Sequence, residues 1–482
     1  MDQRSQQVAC EDVLLFVNAA IASTGQREFA STADEHVLSL QFLHAYMLAN
    51  YRDLYASSLA VGINDFNAAL IIVNLLGTPH TATVEQRSGE GPLIAARLSV
   101  MPPQRVYRLF ARLRRAGVNN RRTRAIIRDW LAARPDLAFD AVKYRRGLAG
   151  AARHSHMQLP DEVGKALFDW SSATRFDSPV LEAWRRAHYD KSALAELPYT
   201  VAEGFAGRRG VSRKALLTQA RLTAGERLRL QSAADRTKVE VSLDLAGMPL
   251  TRLATYILSL ERPDRARRSA ELTDALRAAA ARVAGPHRGT WGRVVTVGDD
   301  SYSSAGSGVK RRRPLAVALA VHYLAEALAV EHDGLWLVHR GDPLLVHPIG
   351  TTPLASRLLD ALALAPDRLI VVSDAWDNDP PGGASEVLRV WRERVDPDSH
   401  TEVVHLNPVY DPRDLMVRPL APGVPSVGIR DGEDAATLVE VARFATGLGH
   451  LDELTGYFAT QVSRLLSNEA VAGASAQAGG LV

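Results

Sequence analysis

The sequence predicts a multidomain α + α/β protein, in which a helical-repeat region precedes a Rossmann-like domain with a largely parallel sheet. Three observations carry this. Up to about Gly285, apolar residues recur at helical spacing with almost no strand-like alternation. Residues 284–289 then supply a Gly/Pro-containing linker. Beyond it, short β-branched runs alternate with helical stretches, the pattern of parallel strands with covering helices.

Taken in order, residues 1–29 read as an N-terminal segment and 30–285 as the helical region. Within it, 38–51, 67–76 and 105–116 place apolar residues at helical spacing, broken by Gly, Pro or Asn. No clean repeat period is visible, so the helices read as an irregular stack of hairpins, each burying one face against its neighbours. Residues 290–470 form the α/β domain. Its strands are expected at 294–297, 335–339, 369–373, 401–406 and 424–429, with helices from Pro314 and after Thr352. The tail 471–482, rich in Ala, Gly and Ser, is expected to lack structure.

A chain of 482 residues holds two or more domains with substantial cores. Its single cysteine, Cys10, rules out an intramolecular disulfide and fits a reducing compartment. The longest apolar stretch, 314–330, contains His322 and Glu326 and reads as a buried helix rather than a membrane span. The N-terminus lacks a charged-then-apolar leader, so a cytoplasmic location is expected. The net charge of +3 hides a segregation: residues 101–300 carry 37 Lys and Arg against 21 Asp and Glu. A basic module of this kind is the footprint of a polyanionic partner.

Two consecutive predicted helices concentrate that charge. In 105–116, Val106, Leu109, Phe110 and Leu113 form an apolar stripe, while Arg105, Arg108, Arg112 and Arg115 form a second stripe on another face. After a turn at 117–120, the next helix repeats the plan. Ile126, Ile127, Trp130 and Leu131 are apolar, and Arg121, Arg124 and Arg128 line up at spacings of three and four. Rows of guanidinium groups suit phosphates. Downstream lie Lys143-Tyr144-Arg145-Arg146 and Arg153-His154-Ser155-His156, groups that stack on bases or bind phosphate. A solvated helix face is the plain alternative for any one of these helices.

A second constellation lies in the α/β domain. Asp299-x-Ser301-x-Ser303 follows the first strand, Thr352 opens a helix, and Asp374 ends the strand at 369–373. Loops at the carboxyl ends of parallel strands converge on one crevice. Two carboxylates and three hydroxyls are hard oxygen ligands of the kind that suits Mg²⁺. Asp300, Asp377 and Asp379 are expected to raise local cation affinity. The order and spacing resemble the metal-ion-dependent adhesion site of von Willebrand factor A domains. Many of those domains have Met and Gly where this chain has Ser304 and Ala375. The resemblance implies direct binding by Ser301, Ser303 and Thr352, with Asp299 and Asp374 binding directly or through water. One position stays open for a partner's carboxylate. No nucleophile or general base accompanies the site, and Gly306 and Gly308 do not make a phosphate loop. A binding protein is therefore expected, not an enzyme.

Lys143-Tyr144-Arg145, then Arg153-x-Ser155-His156, ahead of an A-type domain resemble the Ro autoantigen family and its bacterial Ro-like relatives. Leu197-Pro198-Tyr199, Ala202-Glu203-Gly204-Phe205 and Gly247-Met248-Pro249-Leu250-Thr251 resemble further segments of their helical TROVE module. The likeness spans roughly residues 30–470; Gly147-Leu148-Ala149-Gly150 stands where the family usually has Trp-Ser-His. It implies a HEAT-like α-helical ring followed by a von Willebrand factor A domain. It also implies binding of small noncoding (Y-like) RNA and of single-stranded 3′ ends of misfolded RNA, with no DNA specificity. Protein partners at the cation site would be a nuclease or an RNA-repair protein. The alternative is a cation-dependent protein–protein adaptor, the A-domain partner of an AAA-type ATPase, without an RNA role.

Overall fold

A computed structural model describes residues 3–27, 32–219, 226, 245, 247–442, 444 and 451–478. The chain divides into two compact units: Met1–Asn67 with Leu245–Val462, and Ala68–Asp244 with Ser463–Val482. The linker read at 284–289 therefore marks the change from helix to sheet, not the edge of a packed body. Helices Leu250–Ser259 and Ser269–Ala284 both pack on helix Arg313–Leu328 of the α/β fold. The N-terminal helix Gln3–Ala22 belongs to the same unit, where the Gly428 N–H donates to Asn18 Oδ1 at 3.1 Å.

The first unit contains β1 (Trp291–Gly298), β2 (Ala329–Trp336), β3 (Arg368–Val372), β4 (Glu402–Asn407), β5 (Tyr410–Asp411), β6 (Met416–Val417) and β7 (Ser426–Gly428). Five of these form a parallel sheet in the order β2-β1-β3-β4-β7; β5 and β6 make a small antiparallel hairpin. After β1 the chain moves to one side to make β2 and then returns to the other side of β1 as β3. The carboxyl ends of β1 and β3 thus flank a topological switch point, where open α/β sheets bind ligands.

On one face Val295, Val297, Leu369 and Val371 pack against Leu354, Leu358 and Leu362 of helix Leu354–Ala363. Helix Arg313–Leu328 also packs on the sheet. It is buried on nearly every side because helices cover its outer surface too, which explains its largely apolar sequence. Among the described residues, no helix is long and apolar enough to cross a membrane.

Two sequence expectations change. The second strand is Ala329–Trp336 rather than 335–339, paired from Trp291–Ala329 to Gly298–Trp336. As an edge strand it exposes Val330 and Glu331, so it lacks the apolar run that marks a central strand. The tail is the other case. Helix Leu451–Ala478 continues through most of it, as alanine's high helix propensity favours.

Gly298 ends β1 against the Trp336 ring, where a Cβ would lie 2.6 Å from the indole. Gly298→Ala is expected to destabilise the protein by about 1–3 kcal/mol through overpacking, read as a lower denaturation midpoint at unchanged m-value.

The second unit is helical throughout its described residues, and its Asn120 and Asp136 side chains cap successive helices. Helix Arg145–Ser155 packs on Pro103–Arg115 and Arg121–Ala132. Gly147 permits this approach, since a Cβ there would sit 2.7 Å from that of Tyr107. Beneath it Asp140, fully buried, accepts from Tyr107 Oη at 2.7 Å and from Arg134 Nε and Nη2 at 2.7 and 3.1 Å. The cluster gives both buried oxygens of Asp140 a donor.

Candidate functional site

Three loops at the carboxyl ends of β1, β2 and β3 are tied to one another by hydrogen bonds. The Tyr302 N–H donates to Gly350 O at 3.2 Å and the Ile349 N–H to Asp300 O at 2.9 Å, joining the first loop to the second. The Thr352 N–H donates to Asn378 Oδ1 at 2.9 Å, joining the second to the third. Ser373 Oγ donates to Asp299 Oδ2 at 2.6 Å and closes the set. Asp299, Ser301 and Thr352 are buried within it.

The Ser301 N–H donates to Asp299 Oδ1 at 2.8 Å, and Ser301 Oγ lies 3.2 Å from Ser303 Oγ. Burial, and after it the charge of Asp374, pushes the Asp299 carboxyl above the usual carboxylate range. Burial likewise raises Asp374, opposed by hydrogen bonds from the Ser303 side chain and the Trp376 N–H. The charge of Asp374 bears on Asp299, that of Arg418 partly offsets the burial of Asp374, and neither carboxyl is in an ion pair among the described residues, so a hard dication would neutralise the site. The hydroxyl of Thr352 finds no protein partner among the described residues. No cluster of three or more His, Cys, Asp or Glu among them could hold a metal. Any ion here therefore depends on the hydroxyls of Ser301, Ser303 and Thr352, which fits Mg²⁺ better than a softer metal.

The neighbouring acids do other work. Asp300, fully buried, accepts from the Val338 and His339 N–H groups at 2.9 and 2.8 Å and so holds the loop after β2. Asp377 Oδ2 accepts from the Ala384 N–H at 2.7 Å, at the start of helix Gly383–Arg394. Asp379 accepts from Thr351 Oγ1 at 2.7 Å. These hydrogen bonds shape the loops around the site. Ala375 adopts φ 58°, a left-handed conformation, where many A domains have Gly.

Sequence reasoning missed His405. This buried β4 residue joins Ser426 Oγ and Ser373 O at 2.9 Å each, fixing the strand end that carries Asp374. No motif marks it, because its role arises only from strand pairing.

In the helical unit, Val106, Leu109, Phe110 and Leu113 are buried, as are Ile127 and Leu131. That burial turns Arg105, Arg108, Arg115, Arg121 and Arg128 outward to solvent, with Arg112 and Arg124 partly exposed. Among the described residues Arg105, Arg108, Arg121, Arg124 and Arg128 form no ion pair.

The downstream stretch divides. Arg146, Arg153 and His156 are exposed. Lys143 lies 3.7 Å from Glu226 and over the Phe139 ring, and Tyr144 packs on Tyr107. Arg145 donates to Leu167 O at 3.0 Å and covers the Trp184 ring. His154 and Ser155 are buried, the first bonded to Val118 O at 3.1 Å and the second donating to Ala151 O at 2.9 Å. These two serve the packing of helix Arg145–Ser155 and do not present a binding edge, contrary to the sequence reading. Arg122 and Arg134, outside the predicted rows, are the arginines spent on buried Glu90 and Asp140.

No protein-family model matches the sequence, and no curated protein matches it. The crystal structure of the Ro (RSR) protein of Deinococcus radiodurans does match, with a TM-score of 0.57 at 15% sequence identity. The match covers 90% of this chain and 99% of that one. At that identity the likeness concerns the fold, a helical region followed by a parallel α/β domain.

Proposed function

We propose, from this Ro-type fold, that the chain is a noncoding-RNA-binding protein. Its basic helices hold RNA, and its α/β domain uses a Mg²⁺-dependent site to dock a protein. The observation that carries the reading is the outward arginine surface of helices Pro103–Arg115 and Arg121–Ala132, of which Arg105, Arg108, Arg121, Arg124 and Arg128 form no ion pair among the described residues. Residues 68–244 hold 30 Lys and Arg against 17 Asp and Glu, so the charge belongs to that unit and not to the chain at large. Single-stranded 3′ ends and small Y-like RNAs are the ligands implied by the sequence resemblance. No catalytic role is proposed.

At the cation site Asp299, Ser301, Ser303, Thr352 and Asp374 would hold the ion, which supplies positive charge for a partner's carboxylate. A nuclease or RNA-repair protein suits that position. The adaptor reading, with an AAA-type ATPase as partner and no RNA, shares this site and differs in what it predicts for the basic face.

RNA affinity is expected to fall steeply with salt, with a log–log slope of about −0.7 per phosphate neutralised on a single strand. Arg108→Gln with Arg128→Gln should weaken binding and flatten that slope by about 0.7 for each phosphate no longer neutralised, measured by fluorescence anisotropy. Purified protein without RNA that fails to bind single strands at low salt would exclude the RNA reading and leave the adaptor.

A further inference from the structure

The helical unit carries a second kind of surface beside its arginine rows. Trp170 and His188 stack with ring centroids 4.2 Å apart and planes 28° apart. Trp184 stands edge-on to both, at 5.4 and 4.7 Å. Two residues before Trp170, Phe168 is 47% exposed, and next to His188, Tyr189 is 67% exposed. The unit thus leaves two large aromatic rings, Phe168 and Tyr189, in solvent close in sequence to a stacked pair, where packing alone would bury them.

Cations flank these rings. Arg153 lies over Phe168 with its guanidinium carbon 4.7 Å from the ring centre, and Arg145 lies over Trp184 at 4.4 Å. Arg208 and Arg209 are close enough that their charge, after burial, helps hold the His188 imidazole below its ordinary value. Arg209 Nε donates to Ala187 O at 3.2 Å, and Arg208 is exposed. Some acidic groups nearby are paired, Glu182 with Arg185 and Glu196 and Asp190 with Arg186, while exposed Asp169 accepts from Ser172 Oγ at 2.6 Å.

We propose that the face bearing Phe168, Trp170, His188 and Tyr189 is a base-stacking platform for single-stranded nucleic acid. Resting on the RNA-binding reading, the inference adds a division of labour. The arginine rows supply sequence-independent phosphate binding, and the platform supplies the preference for unpaired bases. Exposed rings stack on any base, because every base has a π-face, and flanking guanidinium groups hold the backbone alongside. A duplex keeps its bases stacked on one another and offers none to the platform. Helix Arg145–Ser155 makes the platform continuous with the rows, since it packs on both row-bearing helices and carries Arg145 and Arg153.

The test uses the full chain with fluorescein-labelled 12-nucleotide oligoadenylate RNA, oligoadenylate DNA and a blunt RNA duplex of the same length. Phe168→Ala with Tyr189→Ala removes two exposed rings. It is expected to lower affinity for both single strands about tenfold or more. Duplex affinity and the salt slope should stay unchanged, because every phosphate-binding arginine remains in place. Arg108→Gln with Arg128→Gln should instead weaken duplex and single strand together and flatten the slope. A Trp170→Phe variant, which keeps a ring in place, should retain single-strand affinity while losing part of the tryptophan quenching seen on titration. Single-strand binding equal to wild type in the double-ring variant overturns the platform while leaving RNA binding intact. So does an equal loss for duplex and single strand. Absence of any nucleic-acid binding by the wild type removes both readings.

Discussion

Lowering the pH from 6.5 towards 4 is expected to destabilise the sheet-containing unit through histidines that burial holds neutral, His405 and His36 acting alongside His322 and His332. His405 and His36 are both fully buried. Burial pushes each imidazole down from 6.5 to about 4, with Lys310 adding to the effect at His36. The unfolded chain takes up protons below about 6.5 that the folded state cannot accept until about 4. Stability is therefore fully present above 6.5 and lost progressively as pH falls through that window. A shift of this size corresponds to on the order of 3 kcal/mol per histidine.

At His405 the Ser373 carbonyl offsets part of the effect of burial; at His36 the surroundings of the ring favour the neutral form. His36 Nδ1 meets Ser23 Oγ at 3.1 Å, whereas its Nε2 is buried without a partner among the described residues. A proton added there would have no acceptor, although Asp411 and Glu35 offset part of the cost through their charge. Asp299, Asp374 and Asp434 work the other way. Their raised carboxyls bind protons in the folded state first and gain stability on acidification. Urea unfolding of wild type and of His405→Gln and His36→Gln between pH 7.5 and 5 separates the two effects. The wild-type-minus-variant difference should shrink by about 1.4 kcal/mol per pH unit below 6.5 for each histidine. A difference that stays flat across that range would show that neither imidazole is held neutral by the fold.

What the sequence revealed and what it hid follow from the range of the interactions. The α/β order and the three loops were legible because a parallel strand and the loop after it are contiguous in sequence. Asp299, Ser301 and Ser303 sit on one loop, and only Thr352 and Asp374 had to be brought in by topology. The apolar stripes of helices Pro103–Arg115 and Arg121–Ala132 were equally legible, being a local period. Their burial fixes which arginines face solvent.

Side-chain partners distant in sequence were not legible. Nothing local tells Arg122, on buried Glu90, from its exposed neighbour Arg121. Nothing local shows that both oxygens of Asp300 accept from the N–H groups of Val338 and His339, a strand away. The edge strand Ala329–Trp336 escaped notice because half-solvated pairing imposes no apolar run. His154 and Ser155, read as an RNA-contacting edge, are drawn into helix packing that only the fold reveals.

Asp299→Asn is expected to abolish the protein's response to Mg²⁺. In the wild type the charge of Asp374 bears on buried Asp299, which costs stability above the ordinary carboxylate pKa range and would be relieved by a bound dication. Added Mg²⁺ should raise wild-type stability by about 2.7 kcal/mol at one hundred times its dissociation constant. The asparagine removes one charge and keeps most of the local bonds. Its carbonyl can still accept the Ser301 N–H, and Ser373 Oγ, which already accepts from the Ala375 N–H at 3.0 Å, can accept from its amide. The variant should therefore be more stable than wild type in EDTA at pH 7.5 and indifferent to Mg²⁺, so that the two stability orders cross as Mg²⁺ is added. Acidification should weaken the wild-type response, because protons compete with the ion for the same oxygens. Single-stranded RNA affinity, measured in parallel, should be unchanged in the variant, since the arginine rows lie in the other unit. A variant less stable than wild type without metal, yet equally stabilised by Mg²⁺, would mean that Asp299 only braces its loop and that any ion binds elsewhere.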